Sequence, residues 1–157
     1  MNQQKVANQL EAVLDEEIAA RGRTTAVLHE QIEALRQKDR EAFCECTQTL
    51  ERELSSNSER GQRRARIVAT LAAAWGVAPT ALTVSSIATR LGAAGARISG
   101  KRAALREALA SEFKANRRLG ALMRAERRIV RDLLRSIYGD EVEQALDGAG
   151  NLMDAEA

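Results

Sequence analysis

The 157-residue sequence predicts an all-α fold: an elongated antiparallel bundle of about three long helices, with a short connecting helix near 83–92. Three observations lead there. Aromatic residues make up only 3 % of the chain and proline occurs once, at Pro79, so strand formers and helix breakers are both scarce. Apolar residues recur at three- and four-residue spacings over stretches much longer than an ordinary helix. Charge is also segregated along the chain. Residues 1–59 carry 7 basic and 12 acidic side chains, 60–96 carry 5 basic and no acidic, 97–135 carry 12 basic and 4 acidic, and 136–157 carry 6 acidic and no basic. An acidic first part and a basic last part attract when packed side by side, which helps choose partners and register.

The first helix spans about 3–37. Its stripe runs through Val6, Leu10, Val13, Leu14, Ile18, Val27, Leu28, Ile32 and Leu35, with Glu11, Asp15, Glu16, Glu30 and Glu33 off it. Gly22 costs up to about 1 kcal/mol against alanine and invites a local bend without ending the helix. Asp39 is a candidate N-cap after a tight turn at 37–40.

The second helix spans about 40–75 and carries Phe43, Cys46, Leu50 and Leu54, then Ile67, Val68, Leu71 and Trp75. Between these apolar ends, residues 55–66, SSNSERGQRRAR, offer almost nothing to bury. They either continue as a solvated helix at the tip of the bundle, which we favour, or fray into a loop. Gly76 followed by Pro79 stops the helix. In 77–100, Thr83 or Ser85 caps a short helix ending near Leu91. The words TVSSIATRLG are similar to the start of a helix-turn-helix, but no separate recognition helix follows, so a lead-in helix is the better reading.

The last long helix, 101–139, has apolar positions at Leu105, Leu109, Phe113, Leu119, Leu122, Met123, Ile129, Val130, Leu133, Leu134 and Ile137, with arginine crowding the rest. At 1.5 Å per residue it is about 58 Å long. The covering helices do not obviously supply enough apolar surface for 119–137, which makes this stretch a candidate groove for another amphipathic helix. Asn116 lies on the line of the stripe. It either fixes register within the seam, as a buried polar residue does in coiled coils, or sits exposed at the edge. Gly139, a glycine directly after the last periodic residue, is the expected cap by type, and 140–157 reads as a mobile acidic tail. The bundle itself is expected as a single domain over 1–139.

Chemistry is sparse. His29 is the lone histidine, and Cys44 and Cys46 point about 200° apart on a helix, so neither a zinc set nor a mutual disulfide is expected. There is no phosphate-cradling glycine loop and no Glu-x-x-His pair for a di-iron bundle. Neither catalysis nor a cofactor is expected. No stretch approaches the roughly 20 apolar residues of a membrane span, and the start MNQQK lacks the apolar segment of a signal peptide, so a cytoplasmic protein without membrane insertion is expected. Arg117, Arg118, Arg124, Arg127, Arg128, Arg131 and Arg135 have the density to track phosphates, which keeps a helical nucleic-acid-binding regulator as the alternative function. The lack of aromatic stacking platforms and the compensating acids weigh against it. A homo-oligomer formed through an exposed stripe is a further possibility.

One resemblance organises these features. The acidic LEAVLDEEIAA, then HEQIEALRQKDREAF, the basic RRARIVATLAAAWGV and the final LREALASEFKANRRLGALMRAERRIVRDLLRSIYGDE together resemble the FlgN-type flagellar export chaperones, over about 10–139. Within the last helix the resemblance rests on Asn116, Leu119, Leu122, Met123, Ile129, Leu133 and the pair Tyr138-Gly139. It departs in having Leu119 where the family tends to show a second asparagine. The resemblance implies a cytoplasmic type III secretion chaperone that holds the C-terminal helices of the hook-filament junction proteins FlgK and FlgL. It also implies docking at the export gate protein FlhA through Tyr138. Together with the apolar pattern, it makes Leu119, Leu122, Met123, Ile129, Val130, Leu133, Leu134 and Ile137 the expected cargo contacts.

Overall fold

A computed structural model describes residues 3–138, and among them the regular elements are all helical. Helix α1 is Gln3–Gln37, α2 is Arg40–Trp75, α3 is Val84–Arg90 and α4 is Gly95–Tyr138, with single 3₁₀ turns at Pro79–Ala81 and Gly92–Ala94. The all-α bundle read from the sequence is the architecture observed. The expectations for 139–157, a glycine cap and an acidic tail, fall outside the described residues. The chain groups into two compact units, Met1–Arg117 and Arg118–Ala157, and each is treated by itself below.

Turn chemistry sets the ends of the helices in the first unit. Lys38 takes a left-handed φ of 58°, and Asp39 then caps α2, its carboxylate accepting from the Ala42 amide at 3.0 Å. Gly76, at φ 63°, ends α2 in the left-handed conformation that a side chain would disfavour. Thr83 rather than Ser85 caps α3, in a reciprocal box with Ser86. Gly95 has a role its sequence context did not reveal. A Cβ there would overlap the Ala88 carbonyl, so only glycine allows the start of α4 to lie this close to α3.

At this end of the bundle all four helices meet. Val6, Ala7, Leu10 and Leu14 from α1 pack with Leu71 from α2, Ile87, Ala88 and Leu91 around α3, and Ile98 from α4. Arg90 lies over the Trp75 ring at 5.3 Å, closing the edge of the cluster.

Moving along α1, the apolar core gives way to polar layers. Leu10, Glu17, Thr24 and Gln31 are seven residues apart and all are buried, so one line of the heptad passes from aliphatic to polar. Each polar member has a partner. The Glu17 carboxylate accepts from Arg64 of α2 at 2.6 and 2.7 Å, Thr24 donates to the Ala20 carbonyl, and Gln31 donates to Thr47 of α2 at 2.8 Å. Arg63 Nη1 donates to both Glu16 oxygens, and Arg23 makes a bidentate contact to Glu53 through Nε and Nη2. Residues 55–66 are therefore helical, as favoured, but they do not form a solvated tip. They lie mid-hairpin, with Arg63 and Arg64 paired to Glu16 and Glu17 of α1 and Arg60 to Glu53 of α2 itself, because α1 offers carboxylates at this level.

Helix α4 runs alongside α1 in the first unit. Arg97 pairs with Glu11, Lys101 with Asp15, and Glu112 with Arg21. The last of these joins three helices. Arg21 Nη1 donates to both Glu112 oxygens at 3.1 and 3.2 Å, while its Nη2 donates to Asn57 Oδ1 of α2 at 2.6 Å. The attraction of acidic α1 for basic α4 expected from charge segregation is realised by Arg97–Glu11 and Lys101–Asp15, whereas Arg21–Glu112 has the opposite polarity.

Two outcomes follow from this polar ladder. Arg21→Met is expected to cost about 1–3 kcal/mol in denaturant melts, since it leaves Glu112 and Asn57 without their donor. A double-mutant cycle with Glu112→Gln should return a coupling of at least about 0.5 kcal/mol, and additivity would show that the pair does not act as a unit. Glu53 tests the pH dependence. Its hydrogen bond from Arg23, followed by the Arg23 and Arg60 charges, outweighs burial and holds its carboxyl below the usual value of 4.5. A depressed folded-state value stabilises the fold above the unfolded value, and that stability is lost as pH falls through the folded one. The melting temperature should therefore fall on acidification between about pH 5 and pH 3, and part of that fall should disappear in Glu53→Gln.

Candidate interaction face

Within the first unit, the inward line of α4 is Ile98, Lys101, Leu105, Ala108, Glu112 and Ala115, alternating three- and four-residue steps, all buried or half-buried. Most of these side chains are small or charged. The large apolar residues one position later in sequence, Leu109 and Phe113, face outward at 44 % and 63 % exposure. A helix rotates 100° per residue, so a shift of one position moves a side chain from the seam to its edge. Asn116 belongs to this outer line and is exposed, which decides between its two sequence readings. It does not occupy the buried seam, because Ala115 does, and the polar residue tied across the helices is Glu112. Asn116 instead lines a shallow groove of about 360 Å³ with Leu109, Glu112 and Phe113.

In the second unit, the eight expected cargo contacts separate by exposure. Leu119 is buried, at 7 %, and contributes no free surface. Leu122 and Leu134 are half-buried. Met123, Ile129, Val130, Leu133 and Ile137 are exposed, rising to 67 % at Ile137. Tyr138, the expected gate contact, is 63 % exposed at the end of the helix.

The angular order of these residues is informative. At 100° per residue, the positions from Leu119 to Ile137 in the cargo set fall within an arc of about 140°. Arg124, Arg127, Arg128, Arg131 and Arg135 occupy roughly the next 100° on one side, and Tyr138 falls on that same side. Only Arg118 lies on the opposite flank. The face is therefore an aliphatic strip with one basic border, rather than a strip surrounded by arginine. Glu126 interrupts it, half-buried. Such a strip carries no catalytic geometry. Its chemistry suits an amphipathic helix whose aliphatic stripe meets the strip and whose acidic side meets the arginines.

Other candidates are weaker. Cys44 is exposed and Cys46 half-buried, both as free thiols. Burial, then the Glu30 and Glu45 charges, push the Cys46 thiol up, away from the reactive thiolate. Among the described residues no three His, Cys, Asp or Glu side chains are grouped to hold a metal ion. Also among them, no helix is long and apolar enough to cross a membrane. A groove of about 430 Å³ between α1 and α2, floored by Val6, Val13 and Ile67, is crossed by the Arg63–Glu16 pair.

No family model matches the sequence, and neither a curated protein nor a solved structure matches it.

Exposure divides the aliphatic residues of this unit into two energetic classes. Leu119→Ala is expected to cost about 2–5 kcal/mol, as for a buried leucine. Leu133→Ala, with most of its side chain already in water, should stay within about 0.5 kcal/mol. Urea melts of the two variants check this, and equal costs would show that Leu133 is packed in solution.

Proposed function

We propose that this chain is a flagellar type III export chaperone that binds the C-terminal helices of the hook-filament junction proteins FlgK and FlgL in the cytoplasm and delivers them to the gate protein FlhA. The observation that supports this reading most is the aliphatic strip of Met123, Ile129, Val130, Leu133 and Ile137, exposed together on one helix. Isolated exposed aliphatic residues need no explanation, but a periodic run of five on one arc does. Burying such a strip against a second amphipathic helix removes apolar area from water at about 25 cal/mol per Å². The basic border gives the encounter a charge preference for an acid-flanked partner.

The resemblance of the chain to FlgN-type chaperones supplies the identity of cargo and gate, and Tyr138 is the residue it assigns to the gate. Its exposed ring, at the end of α4 and off the aliphatic arc, is compatible with a contact separate from cargo.

Val130→Ala with Leu133→Ala should weaken binding of a junction-protein C-terminal helix by about tenfold or more, judged from the apolar area lost. Circular dichroism should show helicity unchanged. Unaltered affinity in calorimetry would remove the strip from the cargo site. Tyr138→Ala should retain cargo while losing recovery in a pull-down with the gate's cytoplasmic domain. Normal recovery would overturn the gate assignment. DNA retention that falls steeply with salt, without peptide binding, would favour a nucleic-acid-binding regulator instead.

A further inference from the structure

We infer that, in the free chain, the strip of the second unit is covered by the chain's own acidic segment, residues 140–156. The surface is exposed and asymmetric: Met123, Ile129, Val130, Leu133 and Ile137 are open, with five arginines along one border. Whatever covers it has to bring both aliphatic groups and negative charge. A second copy of the same helix brings the wrong charge. Residues 118–138 hold Arg118, Arg124, Arg127, Arg128, Arg131 and Arg135 against only Glu126 and Asp132, so a pair of these faces sets like charges together.

The segment that follows α4 has the complementary composition. It contains Asp140, Glu141, Glu143, Asp147, Asp154 and Glu156, with no lysine or arginine, and interleaves them with Val142, Leu146, Leu152 and Met153. Its reach is sufficient. Residues 140–156, extended, span up to about 55 Å, whereas residues 118–138 of a helix rise only about 30 Å. Because the two are joined at Tyr138, the contact is intramolecular, with an effective concentration on the order of millimolar. A weak charge-assisted apolar contact is enough to be populated at that concentration.

The consequence for partners rests on the helix-binding reading, whereas the contact itself does not. A partner helix has to displace the segment, so its apparent affinity is reduced by the fraction of chain in which the strip is open. A helix lacking acidic flanks gains nothing from the arginines and competes poorly. The segment thereby acts as a filter for acid-flanked helices and shields an aliphatic strip while no partner is present.

Paramagnetic relaxation in the full chain tests this. With Cys44→Ser and Cys46→Ser as background, a nitroxide is placed on Ala155→Cys and amide intensities are compared in its oxidised and reduced forms. A loss of about twofold or more across residues 124–135 at low salt, recovering near about 0.5 M sodium chloride, is expected. It should also recover when the six acids are replaced by their amides. Intensity loss absent, or confined to the last turn of α4, would overturn the cover. A synthetic amphipathic helix with a glutamate-flanked aliphatic stripe serves as the second probe, and should bind the amide-substituted chain severalfold more tightly than the unsubstituted chain. Relaxation without peptide binding to either chain supports the cover and refutes the helix-binding reading. Equal peptide affinity for both chains, without relaxation, refutes the cover and leaves that reading standing.

Discussion

Arg21 is the point on which the arrangement of the first unit turns. Its guanidinium donates to Glu112 of α4 and to Asn57 of α2, so one planar fork sets the levels of three helices against one another. An aliphatic seam alone tolerates slippage by a heptad, since one leucine layer resembles the next. Charged groups at a single level do not, because displacement leaves them without partners. The ladder of Glu17 with Arg64 and Gln31 with Thr47 extends the same constraint along the α1–α2 hairpin. The largest aliphatic cluster lies at one end, around Leu10, Leu14, Leu71, Ile87 and Ile98, while Leu28 and Ile32 are buried separately toward the other end of α1.

This register has a consequence for α4. With Glu112 turned inward to Arg21, Ala108 and Ala115 share its line and the bulky Leu109 and Phe113 are turned out. Structure and surface are thus two settings of one helix rotation. A helix that used its largest residues inward would have a deeper core and a polar exterior. This one secures its inward line with charge and small side chains, and leaves aliphatic groups at the surface. In the second unit the aliphatic strip from Met123 to Ile137 has the chemistry of an interface, with a basic border that selects what approaches.

Much of the fold was legible from the residues. The 3.6-residue period gave the long helices, the identities of Asp39 and Gly76 gave two of their ends, and Thr83 was one of two candidates for the cap of the short helix, because caps depend on short-range chemistry. The polar layers were harder to see. Glu17, Thr24 and Gln31 belong to no apolar pattern, and the partners of Glu17 and Gln31, Arg64 and Thr47, are supplied by α2, away in sequence. Residues 55–66 were misplaced at a tip for the same reason, since polarity alone does not distinguish solvent from an ion-paired neighbour. Asn116 drew attention by lying on the line of leucines, whereas the seam runs one position away through Ala115. The seven-residue recurrence of polar residues in α1, and the small residues flanking Glu112, were the available signals. The exposed strip itself was visible as apolar surface in excess of what the other helices match, but its single basic border emerges only from the angular order of the side chains.

Hydrogen–deuterium exchange of the full chain, with and without a junction-protein C-terminal helix, tests the central claim most directly. A partner seated on the strip should slow exchange in residues 118–138 and leave the α1–α2 hairpin, already held by its polar ladder, unchanged. Slowed exchange confined to α1 and α2, with 118–138 unaffected, would contradict the assignment of the last helix as the binding face.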